Sequence, residues 1–268
     1  MPLQSMIYEF TALTDRGRVR ANNEDAVAVD AETQIAILAD GMGGYNAGEV
    51  ASGMATTFIR TEMSRWLAQA GDSPQSTDVR RALEICVENA NHAILGASLA
   101  NPQYAGMGTT LVVGVFCDAR LILGHIGDSR CYRLRDGALR QITRDHSWLQ
   151  EQLDAGLITP QQAALSSSRN LVTRALGVEP SVAMELNEFE VAPNDLFLLC
   201  SDGLTDMVSD EMVADMARRP ISLEDKAQLL IDAANANGGR DNVSVLLVQA
   251  GSASQKKRGL MSRLLRTA

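Results

Sequence analysis

The stretch at residues 34–49, QIAILADGMGGYNAGE, carries an acid out of an apolar run and into a loose backbone. The run QIAIL predicts a buried strand, because short apolar runs bounded by turn residues are typical of such strands. Asp40 ends the run, and four glycines follow within the next eight residues. A carboxylate at the rim of a core is costly to desolvate, so its charge needs a compensating partner.

The composition favours one folded domain. The chain has 268 residues, of which 46% are hydrophobic and 21% are charged. Because no linker, repeat or low-complexity tract divides it, we expect a single domain over residues 1–250 and a basic tail over residues 251–268. The net charge of −9 argues against a nucleic-acid binder or a general membrane-surface binder, since polyanions attract clustered Lys and Arg.

The termini and the cysteines indicate a cytoplasmic protein. The start, MPLQSMIYEF, lacks the basic and apolar regions of a signal peptide, and no run approaches the 18 apolar residues of a membrane span. The four cysteines form no CxxC pair and are expected to be free thiols. The three histidines, His92, His125 and His146, are not spaced as zinc ligands, so we expect no His/Cys metal site.

Hairpins and helix pairs predict the fold class. TTLVVGVFC and RLILGHIGD are β-rich runs two residues apart, and RCYRLRDGALRQI has an Asp136-Gly137 turn signal. Further strands are predicted at IYEFTALT, DAVAVD, DLFLLCSDG (ending in Asp202) and DNVSVLLVQA, with helices near residues 49–70, 77–99, 210–217 and 222–237. Paired helices between groups of antiparallel strands predict an α+β protein with two packed sheets flanked by helices.

Two segments stand apart from this core. Residues 144–169 combine a short amphipathic helix, HSWLQEQLDAG, a helix start at Thr159-Pro160 and a polar run, SSSRN, which together indicate a small helical insertion on the surface. The tail, QKKRGLMSRLLRTA, is basic and partly apolar. It could anchor the protein to a membrane or a partner, but a solvated terminus is the favoured interpretation.

Four aspartates share one context. Asp40, Asp128, Asp202 and Asp241 each lie at the edge of an apolar strand. One Asp-Gly pair after a strand is usually a turn, but four acids that converge would repel one another unless cations neutralise them. Mg²⁺ and Mn²⁺ take oxygen ligands, so the pattern leaves two interpretations open, simple turns or a carboxylate metal centre.

A resemblance favours the metal centre. The motifs TDRGRVRANNEDA, LADGMGGYNAGEVAS, GMGTTLV, GHIGDSRCYRLRDG, NLVTRALG, FLLCSDGLTD and GGRDNVSVLLV resemble, in order, those of metal-dependent type 2C serine/threonine protein phosphatases of the bacterial type. They cover nearly the whole chain. The resemblance implies a four-layer αββα fold, a central antiparallel β-sandwich with helix pairs on both faces, in which residues 144–169 form a small helical flap.

The resemblance also implies roles for individual residues. Two ions, Mn²⁺ or Mg²⁺, would be held by the carboxylates of Asp25, Asp40, Asp202 and Asp241 and the carbonyl of Gly41, with Asp40 as the bridge. Asp128 and Asp202 would share a possible third ion. Glu24 would orient metal-bound water, and the planar guanidinium of Arg20 would grip the substrate phosphate.

The implied reaction is hydrolysis of phosphoserine and phosphothreonine in proteins. A hydroxide that bridges the two ions would attack phosphorus in line, without a covalent phosphoenzyme. In agreement, the chain has neither a Cys-x5-Arg loop nor a G-x-x-x-x-G-K-[ST] loop. The substrates implied are phosphorylated proteins, targets of a bacterial Ser/Thr kinase, and we expect a monomer.

The chain departs from the family pattern at two places. Histidines that members carry after GMGG, or two residues after the bridging acid, are replaced by Tyr45 and Met42. The leaving group could then take its proton from metal-bound water, or from His146 if the insertion folds over the site. A low-activity relative that binds phosphoproteins as a regulator and a metal-dependent phosphodiesterase or nuclease are the alternative functions.

Overall fold

Two antiparallel sheets form the centre of the protein. The computed structural model describes residues 6–44, 47–71, 74–164 and 171–252. The strands are β1 (Met6–Asp15), β2 (Asp25–Asp30), β3 (Ile35–Met42), β4 (Gly108–Thr109), β5 (Leu111–Cys117), β6 (Arg120–Ile126), β7 (Arg130–Arg135), β8 (Ala138–Gln141), β9 (Glu185–Glu190), β10 (Leu196–Cys200) and β11 (Val243–Ser252). One sheet has the order β1-β11-β10-β7-β8 and the other β2-β3-β5-β6-β9, with β4 paired to β3.

Helices cover both outer faces of the sandwich. They are α1 (Ala47–Ala70), α2 (Ser76–Ala100), α3 (Trp148–Asp154), α4 (Pro160–Ala164), α5 (Asp202–Thr205), α6 (Asp210–Ala217) and α7 (Leu223–Ala236), with a 3-10 turn at Pro102–Tyr104. Helices α1 and α2 pack on the β3-containing sheet, and α6 and α7 pack on the β11-containing sheet. The predicted α+β sandwich with helix pairs on both faces is confirmed.

The strand β3 shows why the central runs are apolar throughout. Ile37 packs towards the helices α1 and α2, whereas its neighbour Leu38 packs into the layer between the sheets. That inner layer includes Phe116 of β5 and Phe197 of β10, whose rings meet edge to face with centroids 5.4 Å apart. Because successive side chains point to opposite faces, a strand buried on both faces must be apolar at every position.

The turn and cap signals correspond to local structure. The β7–β8 turn has positive φ at Asp136 (51°) and Gly137 (76°), as a two-residue turn of the primed type requires. Asp118 begins the short β5–β6 connection with a φ of 52°. The hydroxyls of Ser209 and Ser222 accept N–H groups in the first turns of α6 and α7. Both predicted hairpins and both helix starts are therefore confirmed.

Two details differ from the sequence prediction. Strand β10 ends at Cys200, and Asp202 is instead the first residue of α5. The strand β9, ELNEFE, was not predicted. It lies at the edge of its sheet beside β6 and is only partly buried, so it lacks the apolar run by which the other strands were found.

The insertion and the tail are described only in part. Within residues 144–169 the structure has the helices α3 and α4, and an isolated bridge pairs Ser147 with Val172 at the base of the insertion. Residues 165–170 and 253–268 lie outside the described residues, so the flap and the tail stay predictions. No helix in the described ranges is both long and apolar enough to cross a bilayer.

Candidate metal centre

The predicted site residues meet at one end of the sandwich, around a cavity of about 220 Å³. The residues that line it are Arg20, Glu24, Asp40, Gly41, Met42, Gly43, Thr110, Asp128, Val172, Asp202, Asp241 and Asn242. Asp25 lies beside them, because β2 pairs with β3 in the register that sets Asp25 opposite Asp40. All the residues expected to hold metal or phosphate are thus brought together, although their individual roles stay predictions.

Each acid reaches the cavity from the end of a different element. Asp25 begins β2, Asp40 lies near the end of β3, and Asp202 begins α5. Asp128 lies in the turn between β6 and β7, and Asp241 lies two residues before β11. Both sheets contribute acids, so the stacking of the two sheets is what gathers the carboxylates.

Without bound cations, the clustered and buried carboxylates make the cavity electrostatically unfavourable. Burial raises the pKa of Asp40 well above its ordinary value, and the charges of Asp25 and Asp202 raise it further. Burial raises the pKa of Asp25 to about 6 and, with the charge of Asp145, that of Asp128 to about 6. The raised pKa values mean that several carboxylates in the folded chain are more stable with a bound proton or cation than as unpaired anions.

Two observations fit divalent ions. The Oδ1 atom of Asp25 is buried without a hydrogen-bond partner, although its Oδ2 accepts the Ser201 hydroxyl at 2.8 Å. A Cβ on Gly41 would lie 2.1 Å from the Gly48 carbonyl oxygen and 2.6 Å from that of Glu24, so only glycine lets the chain pass here. An all-oxygen donor set of carboxylates suits Mg²⁺ or Mn²⁺.

A second cavity shares part of this wall. Asp128 and Asp202 also line an adjacent space of about 800 Å³ that lies beside the insertion. Arg130 and Asp145 line it too, and they form a bidentate ion pair with an Nη2–Oδ2 distance of 2.7 Å. Asp128 and Asp202 thus line both cavities, and a third ion shared by them stays a prediction.

Threonines that the sequence reasoning did not single out hold Asp40 in place. The Thr110 hydroxyl accepts the Asp40 N–H at 3.0 Å, and the Thr110 N–H and the Thr109 hydroxyl both donate to the Asp40 carbonyl. Thr110 also shares a hydrogen bond of 2.8 Å with Ser129. The GMGTT motif was the sequence signal from which these threonines could have been found, and they position Asp40 through its backbone.

Asn242 is a second supporting residue that was missed. Its Oδ1 accepts the Glu24 N–H at 2.8 Å, and its Nδ2 donates to the carbonyls of Arg16 and Asn22. It thereby ties the loop that carries Arg20 and Glu24 to the start of β11. Its position beside Asp241 in the GGRDNVS motif was the only local signal.

Arg20 does not point freely into the cavity. Its Nη2 lies 2.7 Å from Oδ2 of Asp241, while half of its side chain is exposed. Burial alone would lower the pKa of Arg20, but the charge and hydrogen bond of Asp241 raise it. The pairing places Arg20 beside Asp241, a predicted metal ligand.

Histidines contribute nothing to the described lining of the cavity. Met42 lines it, and Tyr45 lies outside the described residues. His146 lies elsewhere: it stacks on His125, with ring centroids 4.6 Å apart. His125, His146 and Glu185 bring potential ligand atoms within 4.8 Å of one another, a grouping that the sequence spacing did not predict.

Comparisons with known proteins agree with this architecture, a helix-flanked β-sandwich with carboxylates gathered around a cavity at one end. A family profile described as "Protein phosphatase 2C" matches residues 15–235. The chain is 42% identical over 246 residues to the serine/threonine protein phosphatase PstP of Mycobacterium tuberculosis, covering 91% of this chain and 45% of that relative's length. It is 38% identical to the serine/threonine phosphatase stp of Listeria welshimeri, covering 88% of this chain and 93% of the relative.

Solved structures of phosphatases also match this chain. The crystal structure of the PstP catalytic domain in complex with two manganese ions matches with a TM-score of 0.82 and 40% identity, over 92% of this chain and 100% of that one. The Staphylococcus aureus phosphatase Stp1 matches with a TM-score of 0.84 and 32% identity, over 93% and 97%. The chain belongs to the protein phosphatase 2C family, which confirms the resemblance drawn from its motifs.

Proposed function

We propose that this protein removes phosphate from phosphoserine and phosphothreonine side chains of proteins, with two Mn²⁺ or Mg²⁺ ions in the carboxylate cavity. The observation that supports this most is the cavity itself, whose lining joins four buried or half-buried aspartates to one arginine, with the buried Asp25 beside them. The manganese-bound PstP structure supports the choice of metal. Because the chain spans less than half of PstP, the activity and substrates of the whole protein are part of the proposal.

In this proposal Asp25, Asp40, Asp202, Asp241 and the Gly41 carbonyl hold the metal pair. When bound, the pair supplies Lewis-acid polarisation of the phosphate and activation of a water molecule. Asp128 and Asp202 would hold a third ion.

The protein's other residues position the reactants. Thr109 and Thr110 fix Asp40 through its backbone, so that its carboxylate points at one place. Glu24, half-buried at the cavity and hydrogen-bonded by the Gly48 backbone, orients water. Arg20 releases Asp241 when that carboxylate binds metal, and its guanidinium then donates two parallel hydrogen bonds to phosphate oxygens.

The alternative functions are less well supported. A non-catalytic phosphoprotein binder would not need all the predicted metal positions, yet each of them keeps its acid here. A nuclease would need a basic groove, whereas the second cavity beside the metal centre is lined by six acids and one arginine.

The test is Mn²⁺-dependent phosphate release from a phosphothreonine peptide, for the wild type, Asp40→Asn and the exposed control Asp232→Asn. We expect the wild type and the control to be active only with metal, and Asp40→Asn to lose roughly a thousandfold in turnover. Peptide binding without turnover in the wild type would favour the regulatory binder instead. Hydrolysis of DNA would favour the nuclease.

The flap and the partners complete the proposal. The natural substrates would be targets of a bacterial Ser/Thr kinase, met in the cytoplasm by a monomer. Exchanging residues 144–169 for the corresponding segment of another family member should change peptide preference more than activity on a small aryl phosphate. Vesicle sedimentation with and without residues 254–268 tests the tail, and we expect no difference.

A further inference from the structure

We infer that His146 is a positioning residue for the metal centre, which holds the Gly127–Asp128 turn and the Val172 wall of the cavity in one arrangement. The significance of this role for metal binding rests on the proposed function. The contacts themselves do not, because they are made by the protein alone.

The first contact set fixes the turn before Asp128. The His146 N–H donates to the Gly127 carbonyl at 2.9 Å, and the Gly127 N–H donates back to Nδ1 of the His146 ring at 3.2 Å. Gly127 has a φ of +100°, and a Cβ there would lie 2.7 Å from a methyl carbon of Thr110. Both polar backbone groups of Gly127 thus bind one residue, and Asp128 follows directly.

The second contact set fixes the far end of the insertion. The Thr173 N–H donates to the His146 carbonyl at 2.8 Å, and Nη1 of Arg174 lies 3.3 Å from Nε2 of the ring. The adjacent residues Ser147 and Val172 form a bridge, and Val172 lines the metal cavity. His146, at the start of the insertion, therefore joins the Gly127 turn to the chain that leaves the insertion.

The ring has little freedom to leave this position. It is 7% exposed and stacks on the fully buried His125 ring, with an interplanar angle of 16°. Nε2 of His125 donates to the Arg144 carbonyl at 2.8 Å, and Oε2 of Glu185 lies 3.6 Å from Nε2 of His146. Burial, then the neighbouring His125 and Arg174, lower the pKa of His146 to about 4, so the ring is neutral and can accept the Gly127 N–H.

The same hydrogen bonds argue against a metal ion between His125, His146 and Glu185. A histidine that binds metal through one nitrogen normally donates the proton of the other nitrogen to an acceptor. At His146 that other atom, Nδ1, faces the N–H donor of Gly127. At His125 the nitrogen that lies 4.0 Å from Oε2 of Glu185 is Nε2, which carries the proton donated to the Arg144 carbonyl and so has no lone pair for a metal. The cluster is therefore built as a hydrogen-bonded support.

The experiment compares His146→Leu with His146→Asn. Leucine fills the space but cannot accept a hydrogen bond, whereas the Asn Oδ1 can take the place of Nδ1. His92→Leu is the matched control, because His92 lies on α2 and contacts the Pro180 carbonyl. The first readout is amide hydrogen exchange at Gly127 in metal-free protein, and the second is the Mn²⁺ concentration that gives half-maximal turnover.

We expect Gly127 exchange in His146→Leu to accelerate about tenfold, the equivalent of about 1.4 kcal/mol, and the half-maximal Mn²⁺ concentration to rise by a similar factor. Turnover at saturating Mn²⁺ should fall less than tenfold. His146→Asn should recover most of both changes, and the control should show neither.

Unchanged Gly127 exchange in His146→Leu, or identical behaviour of the Leu and Asn variants, would overturn the inference. A Zn²⁺ site in the wild type that is lost in His146→Leu would also overturn it, in favour of a metal ligand. Should the Leu variant not fold, His146→Gln replaces it, because its longer side chain cannot place an acceptor at Nδ1. Since exchange is measured without metal or substrate, an inactive protein with a protected Gly127 would refute only the proposed function.

Discussion

Replacing Asp25 with asparagine should make the metal-free protein more stable while making it a poorer metal binder. Asp25 is buried beside Asp40, its Oδ2 accepts the Ser201 hydroxyl at 2.8 Å, and its Oδ1 has no partner. An amide of the same shape keeps the bond from Ser201 and carries no charge. The substitution therefore removes a buried charge that would otherwise need a proton or a cation to neutralise it.

The magnitude follows from the pKa. Burial raises the pKa of Asp25 from an ordinary 3.8 to about 6, and each pH unit of difference is worth about 1.4 kcal/mol, so the ionised group costs the fold about 3 kcal/mol. The new amide NH₂ group lacks part of its hydrogen bonding, and this destabilises the variant by about 1 kcal/mol, which offsets part of the gain. The net gain of about 2 kcal/mol corresponds to roughly 4–8 °C in Tm for a chain of this size.

The sign of the pH dependence is specific. Since the folded-state pKa lies above the unfolded one, the folded protein takes up a proton between about pH 6 and pH 4. The destabilisation is therefore complete above pH 6 and disappears as the pH falls towards 4. The advantage of Asp25→Asn should be present at pH 7.5 and absent near pH 4.

Thermal and urea unfolding after chelation, at pH 7.5 and pH 4.5, measure this effect, with Asp232→Asn on the exposed face of α7 as control. Added Mn²⁺ should reverse the order, because only the wild type gains the full stabilisation of a ligand that binds the folded state. An Asp25→Asn variant that is no more stable than the wild type at pH 7.5, or equally advantaged at both pH values, would refute the electrostatic reasoning.

Three further substitutions test the site. Gly41→Ala should fold poorly or lose more than about 2 kcal/mol in urea unfolding, because its Cβ would lie 2.1 Å from the Gly48 carbonyl oxygen; wild-type stability would contradict this. Asn242→Ala leaves three hydrogen bonds to the Arg20 loop unmade and should cost about 2–4 kcal/mol, against less than about 1 kcal/mol for Asn237→Ala, which breaks one exposed bond. Arg20→Lys keeps the charge but loses the planar fork, so the KM for a phosphothreonine peptide should rise about tenfold with kcat less affected; an unchanged KM would remove Arg20 from phosphate binding.

Much of the lining of the cavity could be predicted from the sequence alone, because strand-end acids and glycines are local features. Asp40 and Asp202 could be found from an apolar run followed by Asp-Gly, and the Asp136-Gly137 hairpin from its turn chemistry. The polar edge strand β9 was missed, because an element that is only half-buried leaves no apolar pattern to read.

Only the tertiary structure decided which distant groups meet. Asn242 reaches the carbonyl of Arg16 226 residues earlier, and His146, at the start of the insertion, reaches Gly127 before it and Arg174 after it. No local pattern encodes such pairs, because they arise where packing of the two sheets leaves buried polar atoms that must find a partner. The sequence by itself therefore determined the family, most of the strands and the acids, while the stacking of the sheets determined how those acids are held.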